Sequence, residues 1–143
     1  MAVVRSRNEV LRMGKILYKG KVYALYGQVA LLDSEASAYP DWETGTECAV
    51  STPRAVAVAT ASDTEVEVTV CTGQWIGGKV HCISGEIDVG NHGLTVGNVV
   101  SSDLHRLAWP RGRAAVDVYV DQSERATQVW FVLDRSADVT TRV

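Results

Sequence analysis

Gly73, Gly78 and Lys79 in the stretch GQWIGGKV have the spacing of a phosphate-binding G-x-x-x-x-G-K loop, in which backbone N–H groups cradle phosphates and the lysine reaches the terminal ones. Such a loop continues with Ser or Thr to hold magnesium and opens a helix whose N-terminus faces the anion. Here Val80 follows, and KVHCISGEI has the composition of a strand. The stretch therefore reads as a glycine-rich connection between strands, and no cofactor is expected. His81, His92 and His105 form no H-x-x-x-H pattern, and His81 and Cys82, adjacent on a strand, should point to opposite faces. No metal is expected. His92 sits in a Gly-flanked turn and reads as exposed, although a fold that joined it to Asp88 and Asp103 would change that. Cys48, Cys71 and Cys82 are an odd set without C-x-x-C spacing, each in apolar surroundings, and read as buried reduced thiols. With no G-x-S-x-G elbow either, the residues assign no catalytic site, and an enzyme is not expected.

What remains is an acidic stretch. DSEASAYPDWETGTE, residues 33–47, holds Asp33, Glu35, Asp41, Glu43 and Glu47 with no Lys or Arg, and carries Tyr39 and Trp42 around Pro40. The wider layout agrees. Residues 1–32 carry six basic and one acidic side chain, residues 33–88 carry ten acidic with only Arg54 and Lys79, and the last 55 balance at six each, for a net charge of −3. An acidic middle disfavours direct nucleic-acid binding and suits a protein partner with a basic surface; a solvated acidic face is the alternative. Two readings of Trp42 stand side by side: an interface anchor ringed by the carboxylates, or a cap over the open end of the fold.

The elements that must position this stretch are strands. From Lys21 onward Gly, Pro, Asn, Asp or Ser break the chain every 8 to 12 residues, and the runs between are rich in Val, Thr and Tyr. VYALYGQVALLD (22–33) is the first strong run. Others follow at Arg54–Thr60, Glu65–Cys71, Lys79–Asp88, Leu94–Val100, Arg113–Asp121 and Ala126–Leu133. Val66, Val68 and Val70 share one face, with Glu65, Glu67 and Thr69 on the other; Val116, Val118 and Val120 point inward, with Asp117 and Tyr119 outward. Strands wet on one face build antiparallel sheets that pack in pairs. The expectation is an all-β, antiparallel two-sheet sandwich of eight or nine short strands over residues 15–136, with an N-terminal arm at 1–14 that is a short helix or disordered, and a C-terminal tail at 137–143. Residues 33–47 are then a long surface connection, the kind of segment where function tends to sit.

One family resemblance emerges from these residues. Tyr26-Gly27-Gln28-Val29-Ala30-Leu31, then Asp41-Trp42, a turn at Gly45, a series of valine-rich strands, and Leu107-Ala108-Trp109-Pro110-Arg111-Gly112 resemble the competence-protein-J family of small bacterial proteins, over about Tyr23 to Leu133. The chain departs from the pattern at Val29, where an aromatic is usual, and in its basic N-terminal arm. The resemblance implies an intracellular inhibitor of a nuclease or an immunity protein, with the acidic loop offered to a basic cleft.

The sequence-based expectation is thus a non-catalytic protein-binding module whose partner contacts Asp33, Glu35, Tyr39, Asp41, Trp42, Glu43 and Glu47. The alternatives are a structural subunit that self-associates through its sheets into a homo-oligomer, and a ligand-binding sandwich using Trp75, Trp109, Trp130 and Tyr119. The charged N-terminus breaks every apolar run before it reaches the length of a signal sequence, and no later segment approaches the ~20 apolar residues of a membrane span. A cytoplasmic protein without membrane contact is expected.

Overall fold

Valine at every second position writes the central strands. Val66, Val68 and Val70 are fully buried in Glu65–Thr72, as are Val118 and Val120 in Gly112–Val120, with Val116 1% exposed. Each such row covers one sheet face with branched side chains that suit the pleat. The computed structural model describes residues 14–73 and 79–135. The tail expected at 137–143, nearly all of the arm expected at 1–14, and Trp75 lie outside these residues.

Ten strands are present among the described residues: β1 Ile16–Tyr23, β2 Gln28–Asp33, β3 Ala49–Thr52, β4 Ala55–Ala59, β5 Glu65–Thr72, β6 Val80–Val89, β7 Leu94–Asn98, β8 Asp103–Leu107, β9 Gly112–Val120 and β10 Gln128–Arg135. They form two five-stranded sheets, sheet A in the order β1-β5-β10-β9-β6 and sheet B in the order β3-β4-β2-β7-β8. The fold is the expected all-β sandwich, with more strands than the eight or nine expected. All sheet neighbours are antiparallel except β5 and β10, which run parallel with Val68 opposite Val129 and Val70 opposite Phe131. No helix among the described residues is long and apolar enough to cross a membrane.

The run VYALYGQVALLD is not one strand. It breaks at Leu25–Gly27 into a single 3-10 turn, with Tyr26 at φ 60°, ψ 21° in the left-handed region. Asp63 Oδ1 accepts the Tyr26 N–H at 3.1 Å, and Gly27 O accepts the Thr60 N–H at 2.8 Å. This corner moves the chain from sheet A to sheet B, so that Val22 and Val29 face the same interior from opposite sheets.

Between the sheets lies one core, in which Phe131, Leu31, Ile87, Leu94 and Leu133 are the largest fully enclosed side chains. The two edges are also joined. Beside β6, Cys48 and Cys82 form a disulfide with a Cα–Cα distance of 5.8 Å, so the reading of three reduced thiols holds for Cys71 alone. The physical reason is a bulge: the β6–β9 register passes from His81 opposite Tyr119 to Ile83 opposite Val118, leaving Cys82 as the extra residue. His81 then stays on the outer face while Cys82 turns inward to meet Cys48 just before β3. At the other edge, Tyr18 of β1 stacks on His105 of β8 with ring centroids 4.8 Å apart, and Asp103 Oδ2 accepts the Tyr23 N–H at 3.0 Å.

Candidate functional site

The acidic stretch begins where β2 ends. Alternation along β2 puts Val29, Leu31 and Asp33 on its inward side, and Asp33 is fully buried. A buried carboxylate needs partners. Asp33 Oδ1 accepts the Gly90 N–H at 2.8 Å, Oδ2 accepts the Glu35 N–H at 3.3 Å, and the Arg54 guanidinium pairs with Oδ2. Asp33 is therefore the root of the loop, tied to the end of β6 and to the turn between β3 and β4. It is not one of the exposed carboxylates. Glu35 is exposed, with His92 Nδ1 2.9 Å from its Oε2.

The loop then runs over the outer face of sheet B, and composition explains why. Outward positions of β2 and β4 carry Ala30, Leu32, Ala55 and Ala57, an apolar strip of mostly small side chains that water would otherwise cover. Ala36 and Trp42 pack on that strip, and Pro40 is buried. The Trp42 indole N–H donates to Gln28 Oε1 at 3.2 Å, which satisfies its one polar atom. Trp42 thus covers the outer face of a sheet rather than the open end of the sandwich, and remains half-buried.

Past Trp42 the loop closes on itself. The Glu47 carboxylate accepts N–H groups from Glu43 at 2.9 Å, Thr44 at 3.1 Å and Gly45 at 2.9 Å. Backbone hydrogen bonds to the charged form hold its carboxyl down at about 2, against an ordinary 4.5. Glu47 is thus committed to its own turn, and the disulfide at Cys48 anchors the next residue. Asp41 and Glu43 differ: both are exposed, and among the described residues neither carboxylate has a hydrogen-bond or ion-pair partner. Tyr39 is 46% exposed.

Trp42 stands between two clefts. One, of about 170 Å³, has Tyr39, Pro40 and Trp42 as its loop wall, Ala30, Ala57 and Gly97 as its floor, and Val99 and Val100 opposite. The other lies between Trp42, Gly45, Ala59 and Tyr26. Only glycine fits at position 97 of that floor, because at φ 148° it sits against the Asp103 carbonyl oxygen of β8, with which any Cβ would collide. Asn98 locks the rim: its Nδ2 donates to Leu25 O at 3.0 Å and Gln28 O at 2.7 Å, while Oδ1 accepts the Ser101 N–H at 2.8 Å. The Tyr26 corner and the Val99–Val100 turn are thereby held together beside Trp42. Neither turn stood out in the sequence, which reads both as parts of strand runs, 22–33 and Leu94–Val100, whereas β7 ends at Asn98.

A second cluster lies on the outer face of sheet A. Ser84 Oγ and Asp117 Oδ1 each sit 3.1 Å from His81 Nε2, and Ser84 Oγ also bonds to Asp117. A Ser-His-Asp relay needs the carboxylate on one ring nitrogen and the hydroxyl on the other. Here both share one nitrogen, so the carboxylate does not orient the ring toward the serine. Tyr119 and Trp130 belong to a small outer-face group with Cys71 and Val132, whereas Trp109 packs against the central core. The aromatic residues expected of a ligand pocket are thus divided between sites. Val80 opens a strand, where a nucleotide loop would open a helix. No group of three or more potential metal ligands occurs among the described residues.

No protein-family model matches the chain and no curated protein matches its sequence. Two solved structures resemble it. One is ComJ from Bacillus subtilis, described as an inhibitor of the DNA degrading activity of NucA, with a TM-score of 0.65 at 10% identity over 85% of this chain and 98% of ComJ. The other is described as crocagin biosynthetic gene J, with a TM-score of 0.60 at 11% identity over 85% of this chain and 97% of that one. The chain thus carries the fold of ComJ, in agreement with its resemblance to the competence-protein-J family.

Proposed function

We propose that this protein is a non-catalytic binding module, an inhibitor or immunity protein that acts in the cytoplasm on a basic protein partner such as a nuclease. The observation that carries this reading is the pair Asp41 and Glu43: two exposed carboxylates with no partner among the described residues, flanking a Trp already fixed on the sheet. Exposed charges beside an aromatic side chain already held on the sheet suit protein recognition, since the anchor has little order to gain on docking. A nuclease cleft is built to receive phosphates, and a carboxylate pair offers it the same negative charge as they do. The fold shared with ComJ, itself an inhibitor of a nuclease activity, supports the same class of partner.

The experiment is an inhibition assay against a basic nuclease, above all one encoded beside this gene. Unmodified protein should suppress DNA cleavage. Asp41→Asn with Glu43→Gln should slow association and flatten its salt dependence while leaving dissociation nearly unchanged, because exposed charges steer encounter and are screened over about 10 Å at ~0.1 M salt. Equal association rates at every salt concentration would remove the carboxylates from the site.

A further inference from the structure

Around the proposed site three large apolar side chains stand exposed along the two clefts: Tyr26 is 72% exposed, Val100 51% and Tyr39 46%. Tyr26 is also held in the left-handed region, where a bulky residue is uncommon and costs energy. Between Tyr39 and Val100 opens the cleft of about 170 Å³, apolar in most of its lining. That volume is close to the roughly 150 Å³ of an engineered apolar cavity that accepts a benzene ring. It has room for one side chain and is far too small for a helix.

We infer that this cleft, walled by Pro40 and Trp42 on one side and Val99 and Val100 on the other, receives a single aliphatic or aromatic side chain from a basic segment of the partner protein. The inference rests on the proposed reading of the loop and adds what charge alone does not supply, a central anchor. Exposed carboxylates set encounter, whereas affinity concentrates in a desolvated pocket filled by one residue. The occupant's chemistry follows from the rim: Asp41 and Glu43 stand on the same loop as the cleft wall, and residues 33–47 contain no cation. A second copy of this chain docking by the same face would set Asp41 and Glu43 against their own counterparts, which disfavours it.

The test uses the ¹⁵N-labelled full chain and three blocked tripeptides, Lys-Leu-Lys, Lys-Gly-Lys and Glu-Leu-Glu, titrated by NMR. The expected result is that Lys-Leu-Lys shifts the Trp42 indole and the Ala30, Gly97 and Val100 amides, and binds about tenfold more tightly than either other peptide, since burying most of a leucine side chain is worth roughly one decade of affinity. Equal binding of Lys-Gly-Lys and Lys-Leu-Lys, with shifts confined to residues 41–43, would overturn the cleft as a pocket and leave the acidic-loop reading standing. Equal binding of Glu-Leu-Glu and Lys-Leu-Lys would instead overturn the basic partner. Shifts at the same amides on raising protein concentration without peptide would assign the cleft to a second copy, and no shift with any peptide would remove the site; both contradict the inference.

Discussion

Glu47 and Asp41 are acidic residues of one loop with different work to do. Glu47 closes the turn from Glu43 to Gly45, and its charged form accepts all three hydrogen bonds. Because its carboxyl is held at about 2 rather than 4.5, its contribution to the turn is complete above about 4.5 and is lost as pH falls through about 2. The Glu43, Thr44 and Gly45 amide resonances should therefore stay in place on acidification to pH 4 and move only below about pH 3, with a midpoint near 2. Glu47→Gln should loosen them at neutral pH; amides that titrate near 4.5 would show that the turn is not held by this carboxylate. Asp33, fully buried against Arg54, is equally structural. The carboxylates expected to form one interface ring are thus divided in role, since neither sequence order nor charge distinguishes a carboxylate that accepts backbone N–H groups from one that faces water.

At the scale of the element, the loop is held at both ends, by Asp33 after β2 and by the Cys48–Cys82 disulfide before β3. The two cysteines are 34 residues apart, and closing a loop of that size restricts the unfolded chain by on the order of 3–4 kcal/mol in the chain-entropy view. Reduction, or Cys48→Ser with Cys82→Ser, should lower unfolding stability by about that amount while leaving the β-sheet circular dichroism intact. An unchanged denaturation midpoint would show that the pair adds nothing to the fold. The proposed action in a thiol-reducing cytoplasm requires that binding survive that treatment. Much of this architecture was legible. Strict alternation announced β5 and β9, and Val80 after Lys79 announced β6. What escaped were elements whose pattern is weak or interrupted: β1, ILYKGKVY, has lysines and a glycine among its apolar residues, β3 has only four residues, and β8, DLHRL, carries its charge inside the strand. The apolar run through residues 22–33 concealed a corner that depends on one left-handed tyrosine. The disulfide escaped because it depends on a bulge, and a one-residue slip in pairing register leaves no trace in composition.

For the molecule as a whole, the edges decide between a binding module and a self-assembling subunit. Open strand edges invite pairing with other copies. Here the β3 and β6 edges lie against each other at the Cys48–Cys82 pair, and a β1 edge N–H is taken by Asp103 of β8. The protein should therefore remain monomeric in light scattering across a hundredfold range of concentration; mass growing with concentration would favour the assembly reading. The two outer faces are also unlike each other. Sheet A presents the Ser84, His81 and Asp117 cluster with Lys79 over Trp130 at 4.6 Å, whereas sheet B presents an apolar strip, a rigid acidic loop and two clefts. The central claim is that the partner docks on the second of these. Photo-crosslinking in the producing cell tests it most directly, with a benzophenone side chain placed in separate variants at Tyr39, at Glu43 and, as the control on sheet A, at Glu86. The account predicts that positions 39 and 43 capture the same basic protein and that position 86 does not. Capture from position 86 alone, or capture of a second copy of this chain from positions 39 and 43, would contradict it.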